Sequence, residues 1–165
     1  MRKKTDKPSL LKLLTSGNVR KAKLLLGSLY TISGKVIHGN HLGRKIGFPT
    51  ANLEIDNNCY VLPAPGVYAV LTQIEEQEYP AMANIGYRPT FNGNVLTIEV
   101  HVFDFQQDIY EKIVKVSFVD RIRDEIKFPK VNLLIDQLNQ DRKIAKELIV
   151  RWSNPDSDTT NAFGP

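Results

Sequence analysis

The sequence predicts a mainly β protein: a small antiparallel Greek-key-type β-barrel of about six strands, with a short N-terminal helical segment and a long C-terminal α-helix. Three observations lead to this prediction. Between residues 28 and 121, short runs rich in β-branched and aromatic residues alternate with turn signals. A leucine-rich segment with helical spacing precedes this region, and a longer apolar stripe of helical period follows it.

The N-terminal residues 9–26 are predicted to form two short helices. Gly17 and Asn18 interrupt the leucine-rich run, and Asn18 is a favourable N-cap for a second helix, Val19–Leu26. Gly27 follows at the position where a left-handed residue commonly ends a helix. We therefore expect a break at residues 17–18 and a helix end at residue 27.

The strand predictions depend on period-two alternation and on the turns between the runs. Residues 95–103 alternate strictly, so that Thr97, Glu99 and His101 share one face while the apolar residues share the other. Residues 113–119 alternate in the same way. Residues 67–71 form an apolar run directly after a Pro-Gly turn.

The last regular element is predicted to be a helix over residues 129–150. Pro129 suits the first turn, and an apolar stripe follows it. The stripe consists of Leu134, Leu138, Ala145 and Leu148. Residues beyond it are polar and without pattern, which predicts a disordered tail over 152–165.

The bulk composition limits the classes of protein to consider. With 165 residues, 42% hydrophobic and 24% charged, the chain suits one globular domain with an appendage. The net charge of +4 fits an anionic ligand such as a nucleotide. Cys59 is the single cysteine, which excludes a disulfide framework and a cysteine zinc site. A cytoplasmic location follows as the default from this lone cysteine. No apolar run is long enough to span a bilayer, so no membrane partner is expected.

The most informative segment is the small-residue, basic loop Gly43-Arg44-Lys45-Ile46-Gly47-Phe48-Pro49-Thr50-Ala51-Asn52. Thr50 and Asn52 are two residues apart, so on an extended chain both side chains point the same way. A hydroxyl and an amide oxygen are hard, neutral donors of the kind that magnesium accepts when substrate phosphates supply the other ligands. The alternative is a Gly/Pro turn that leads into a strand. The spacing matches neither a Walker loop nor a dinucleotide fingerprint.

Five motifs stand in a recognisable order along the chain. They are Gly34-Lys35-Val36-Ile37-His38-Gly39 with the loop above, Pro65-Gly66-Val67-Tyr68, Asn84-Ile85-Gly86-Tyr87-Arg88-Pro89-Thr90-Phe91, Glu99-Val100-His101-Val102-Phe103-Asp104-Phe105 with Asp108-Ile109-Tyr110, and Arg123-Asp124-Glu125-Ile126-Lys127-Phe128. Together they resemble the riboflavin kinase family, and most closely the kinase module of bacterial bifunctional FAD synthases. The resemblance covers residues from about 28 to 148.

The resemblance implies a catalytic carboxylate and a metal site. Glu99 falls where riboflavin kinases carry the base that deprotonates the ribityl 5′-hydroxyl; without the family it reads as a solvated strand residue. Thr50 and Asn52 become the ligands of Mg²⁺ and phosphate. His101 is interpreted as a hydrogen-bonded structural residue, although its position also allows it to tune the carboxylate.

Two further groups of binding residues follow from the resemblance. Gly39, Gly43 and Lys45 belong to a flap over the nucleotide, where backbone N–H groups cradle phosphates; Lys45 is otherwise an ordinary surface lysine. Arg123, Asp124 and Phe128 form a second half of the site that folds over the flavin and its phosphate. Without the family, that second group reads as an exposed charge cluster before a helix. The Arg88-Pro89-Thr90 segment is interpreted as a turn.

The resemblance also implies a domain organisation and an activity. Residues 1–27 would be a helical linker like the end of an adenylyltransferase module, 28–151 the kinase domain, and 152–165 the tail. The expected activity is transfer of the ATP γ-phosphate to riboflavin with Mg²⁺, giving FMN and ADP. FAD synthesis is not expected, because the upstream module is absent from the sequence, whether the chain is a short natural protein or a piece of a longer one.

Two other functions stay open at this point. One is a non-catalytic flavin or nucleotide sensor that acts through a partner, against which the intact Glu99 argues. The other is a nucleic-acid-binding barrel, which the positive charge allows. The basic residues are scattered rather than clustered, so we expect small-molecule substrates and no nucleic-acid partner.

Overall fold

The protein is a closed six-stranded antiparallel barrel with helices at both ends of the chain. The computed structural model describes residues 6–39, 42–56 and 58–154. Its elements are α1 (Lys7–Thr15), α2 (Val19–Leu26), β1 (Tyr30–Ile37), α3 (Leu42–Lys45), β2 (Ala51–Ile55), β3 (Gly66–Ile74), β4 (Gln77–Thr90), β5 (Gly93–Val102), β6 (Ile113–Arg123) and α4 (Val131–Ser153).

The strands are ordered β1-β2-β5-β4-β3-β6 around the barrel, and β6 closes on β1. Strands β3, β4 and β5 are joined by hairpins, and β6 returns to lie beside β3. This is the Greek-key arrangement, so the predicted fold class is confirmed.

The two N-terminal helices have the predicted ends. The Asn18 side chain accepts a hydrogen bond from the backbone N–H of Lys21 at 3.1 Å, and Gly27 ends α2 with a φ of 75°. Leu14 of α1 and Val19 of α2 are buried against the barrel core. The helical segment is therefore packed on the barrel rather than separate from it.

Helix α4 covers part of the outer surface of the barrel. Its buried residues Ala145 and Ile149 pack against Ala69 and Met82, which lie on the outer faces of β3 and β4. The helix begins at Val131, two residues later than predicted, and continues through Ser153. The first two residues of the predicted tail, 152 and 153, are thus helical, and residues 155–165 lie outside the described part of the chain.

The predicted turn at Arg88-Pro89-Thr90 is wrong. Strand β4 continues to Thr90, which pairs with Gly93 across a two-residue loop. Pro89 is tolerated because it lies one residue from the end of the ladder, where a missing N–H donor costs little. None of the helices in the described part of the chain has the length and apolarity needed to cross a membrane.

Candidate active site

Two of the predicted site residues meet across neighbouring strands. Asn52 of β2 pairs with Glu99 of β5, and Glu99 pairs on its other side with Asn84 of β4. The next pair along, Leu53 and Ile98, is buried in the barrel core. Because successive side chains on a strand point to opposite faces, Asn52, Glu99 and Asn84 lie on the outer surface of the barrel.

Both carboxylate oxygens of Glu99 have hydrogen-bond partners. The Thr50 hydroxyl donates to Oε2 at 3.2 Å, and the Arg88 guanidinium forms an ion pair with Oε1. A hydroxyl has one proton and two lone pairs, so Thr50 can donate a hydrogen bond to Glu99 while a lone pair of its oxygen coordinates a metal ion. The Glu99 side chain is 24% exposed, which leaves it within reach of a ligand.

The glycines of the predicted flap pack closely around this cluster. A Cβ atom on Gly39 would overlap the side-chain amide of Asn52, so the missing side chain lets the backbone lie directly on that amide. A Cβ atom on Gly43 would overlap the backbone carbonyl oxygen of Phe48. Lys45 is exposed at the end of α3.

His101 is buried beside the site and hydrogen-bonded. Its Nδ1 lies 2.7 Å from the carbonyl oxygen of Pro49, and its ring packs between those of Phe48 and Phe103. A carbonyl oxygen only accepts, so Nδ1 carries the proton. Burial lowers the pKa of His101 more than the hydrogen bond to Pro49 raises it, so the imidazole is neutral near pH 7. This ring holds the backbone directly before Thr50.

The second predicted group starts in the same cross-strand row. Asn84 pairs with Val67 of β3, and Val67 pairs with Arg123 of β6, three strands away from Glu99. At the usual strand separation this is a span of about 14 Å along the outer surface. The Phe128 ring lies 5.9 Å from the Arg123 guanidinium.

The main partner of Arg123 is a carboxylate that the sequence reasoning missed. Its Nε and Nη2 donate to Asp141 of α4 at 2.9 and 2.7 Å, and Asp141 is fully buried. Asp141 stands between Leu138 and Ala145 in the apolar stripe of α4. A carboxylate on the apolar face of a helix is usually paired with a cation, so this position in the sequence could have predicted a buried ion pair. The role of Arg123 as a ligand for flavin or phosphate stays a prediction.

Asp124 and Glu125 point to different places. The Asp124 carboxylate accepts a hydrogen bond from Arg121 at 2.5 Å and is mostly exposed. Glu125 instead lies against Gly86, where a side chain on that glycine would overlap its carboxylate. Gly86 lies between Asn84 and Arg88 on the outer face of β4. Glu125, which was not selected from the sequence, is therefore the acidic residue of this segment that reaches the site.

A cavity of about 410 Å³ opens next to Thr50. Val36, Val100 and Ile109 form part of its apolar wall, while Arg44 and Asp108 contribute charged groups. The remaining lining residues are Pro49, Thr50, Ala51, Val102, Phe105, Gln106, Gln107 and Tyr110. Its volume and mixed lining are those of a small-molecule pocket. Residues 105–110 were part of a motif in the sequence, but no binding role was assigned to them.

Comparison with known proteins identifies the family. A family model described as flavokinase, riboflavin kinase, matches residues 26–149. The chain belongs to the riboflavin kinase family. A bifunctional riboflavin kinase/FMN adenylyltransferase of Haemophilus influenzae is 47% identical over 134 residues, which is 81% of this chain and 43% of the relative. The chain therefore spans less than half the length of this curated relative, and the family resemblance is confirmed.

Two solved structures share the fold. A riboflavin kinase from Trypanosoma brucei matches with a TM-score of 0.52 and 25% identity, covering 73% of this chain and 80% of that chain. A Streptococcus pneumoniae protein described as a macrolide-efflux protein matches with a TM-score of 0.82 and 43% identity, covering 86% of this chain and 46% of that chain.

Within this riboflavin kinase domain, the donor set near Glu99 fits one kind of metal site. No group of three or more His, Cys, Asp or Glu side chains that could hold a metal ion occurs in residues 6–39, 42–56 and 58–154. The oxygens of Thr50 and Asn52 instead suit Mg²⁺, which takes few protein ligands and completes its shell with phosphates and water. A closed protein cage for the metal is not part of this arrangement.

Proposed function

We propose that this chain is an ATP:riboflavin 5′-phosphotransferase that produces FMN and ADP. The observation that carries the proposal is the hydrogen bond between the Glu99 carboxylate and Thr50, a residue that lines the cavity, with Asn52 paired to Glu99 on the neighbouring strand. Phosphoryl transfer requires a base, a metal across the phosphates and two substrate positions that meet at one point. In this proposal Glu99 would be the base, Thr50 and Asn52 the metal ligands, and the cavity and the outer face the two substrate positions.

Glu99 is the general base in this proposal. The riboflavin 5′-hydroxyl gives its proton to the Glu99 carboxylate as its oxygen bonds to the γ-phosphorus. The bond from that phosphorus to the bridging oxygen of ATP breaks, and ADP leaves. A base within hydrogen-bond reach of the hydroxyl accelerates such a step by about 10²–10⁴-fold.

ATP occupies the cavity beside Thr50, with its phosphates directed toward Glu99. Thr50 and Asn52 would hold Mg²⁺, which neutralises the charge that develops on the phosphates. Gly39 and Gly43 bring the flap backbone close to the phosphates, and Lys45 supplies a positive charge at its edge.

Riboflavin lies on the outer face of the barrel in the proposed complex. Its ribityl end reaches Glu99, and its ring extends toward Phe128, with Arg123 and Asp124 at the far end. The Arg123–Asp141 contact fixes the position of this arginine, and its role as a ligand is part of the proposal. Residues 28–151 would then form the kinase domain, 1–27 a linker, and FAD synthesis would be absent from this chain. The enzyme would act in the cytoplasm.

The test is chromatographic detection of FMN after incubation with riboflavin, ATP and Mg²⁺. Wild-type protein should form FMN, and omission of Mg²⁺ should stop it. Glu99→Gln should abolish turnover and retain riboflavin binding, because the amide keeps the shape and loses the basicity. Glu75→Gln, on an exposed and distant carboxylate, is the matched control.

Two results would contradict the proposal. Turnover at the wild-type rate in Glu99→Gln would remove Glu99 from the mechanism. Tight riboflavin binding by the wild type without FMN formation would favour the non-catalytic flavin sensor, whose intact carboxylate would then need another explanation.

A further inference from the structure

Arg88 lies on the outer face of β4 and reaches the proposed base. It pairs with Val95, while Asn84, four residues earlier, pairs with Glu99. The guanidinium therefore extends back along the strand by two outer-face positions to reach the Glu99 carboxylate. Gly86 lies between these two positions, and the carboxylate of Glu125 packs against it.

We propose that Arg88 is a positioning residue for Glu99, and that it acts with Thr50 as a two-point clamp on the carboxylate. This inference rests on the proposed kinase function. Thr50 holds Oε2 and Arg88 holds Oε1, so the two donors fix the rotation of the carboxylate about its terminal bond. That torsion is broad in an unrestrained glutamate, so a clamp removes rotational freedom that the base would otherwise have to lose during the reaction.

The clamp leaves Glu99 able to act as a base. A carboxylate has about four lone-pair sites, and these two contacts use two of them. The remaining sites are available to the substrate hydroxyl, and Glu99 is partly exposed. Arg88 is itself about one-third exposed.

Two other roles for Arg88 make different predictions. If the ion pair only stabilises the β4–β5 hairpin, its loss would lower the thermal stability without a specific effect on turnover. If Arg88 blocks Glu99, its removal would raise kcat. Positioning predicts a fall in kcat with little change in the KM of either substrate, since the contact serves the reacting geometry rather than substrate binding.

The experiment compares Arg88→Met, Arg88→Lys and Arg88→Ala with the wild type under saturating Mg·ATP. We expect Arg88→Met to lower kcat about tenfold or more, which is the effect of losing one charge-assisted hydrogen bond. The KM values and the riboflavin Kd should stay within about twofold. Arg88→Lys should recover part of the rate, and free guanidinium should restore part of it in Arg88→Ala. Arg20→Met, which removes the exposed Arg20–Asp120 ion pair, is the matched control.

A double variant tests whether Arg88 acts through Glu99. Whatever trace of turnover Glu99→Gln retains should be unchanged in Arg88→Met/Glu99→Gln, because the clamp has no base left to position. A further loss in the double variant would overturn the inference, as would an unchanged or raised kcat in Arg88→Met. If Arg88→Met proves too unstable to assay, absence of guanidinium rescue in Arg88→Ala, measured below its Tm, would overturn it as well.

The proposed function and the clamp fail in different ways. Wild-type protein that forms no FMN refutes the kinase function, and the clamp with it. If Arg88→Met forms FMN as fast as the wild type, the clamp is refuted and the kinase function is not.

Discussion

Replacement of Arg123 by methionine should destabilise the protein by about 3–5 kcal/mol. Asp141 is fully buried and Arg123 is only 16% exposed, so the substitution leaves a buried carboxylate without its counter-charge. We expect the lower end of that range, since Gln137 still donates to Asp141 at 3.0 Å. A loss of about 3 kcal/mol corresponds to a fall in Tm of about 6–12 °C for a chain of this size.

The assay is urea unfolding of a double-mutant cycle. Arg123→Met alone should lower the midpoint without a change in the slope. The double variant Arg123→Met/Asp141→Leu should recover most of the loss, because well-packed apolar side chains commonly replace a buried ion pair at little cost. Lys146 lies on the same helix as Asp141, and Lys146→Met, which removes an exposed ion pair with Asp104, should cost less than about 1 kcal/mol.

The outcome of the cycle separates two roles of Arg123. A loss below about 1 kcal/mol in Arg123→Met, or a double variant that is as unstable as the sum of the single ones, would refute the structural reasoning. If the double variant is stable, its riboflavin and ATP affinities report the ligand role alone, since the fold no longer depends on the guanidinium. Unchanged affinities would then remove Arg123 from the predicted binding residues.

Two other predictions concern the surroundings of Thr50 and Glu99. Gly39→Ala should raise the Mg²⁺ concentration for half-maximal turnover about tenfold or more, because the new Cβ displaces the Asn52 amide. The riboflavin Kd should be unchanged. An unaltered Mg²⁺ dependence would contradict this prediction. The folded protein lowers the pKa of His101, so the unfolded chain binds the proton more tightly and acid favours unfolding. This contribution to stability is complete above about pH 6.5 and is lost at lower pH, by at most about 1.4 kcal/mol per pH unit. Urea unfolding between pH 6.5 and 5 should therefore show this loss of stability in the wild type and not in His101→Gln.

The sequence was sufficient for features that depend on neighbouring residues. The N-cap at Asn18 and the C-cap at Gly27 follow from local hydrogen bonding and backbone conformation, and both are confirmed. Strict alternation in β5 correctly separated Glu99 from the buried Ile98 and Val100. Period-two patterns fix the face of a residue without any knowledge of its partner strand.

Contacts between strands can be predicted only when the register of the strands is known, and the sequence did not establish that register. The two-residue loop after Thr90 sets the β4–β5 pairing and therefore places Asn84 opposite Glu99. Because residues 88–90 were interpreted as a turn, this register was not available, and Arg88 was assigned a purely structural role. The partner of Arg123 was missed for a different reason, since the position of Asp141 depends on how α4 packs on the barrel.

The same register places residues that stabilise the core and residues of the candidate site next to each other on the same strands. The adjacent cross-strand pairs Leu53–Ile98 and Asn52–Glu99 differ only in the face to which they point. The first pair fills the core, and in the second pair Glu99 accepts a hydrogen bond from Thr50, which lines the cavity. Strands held by the core are rigid supports, so the base and the predicted metal ligands keep their separation without any ligand present. Substitutions at Asn52 or Glu99 should therefore change turnover far more than Tm, and substitutions at Leu53 or Ile98 should do the reverse.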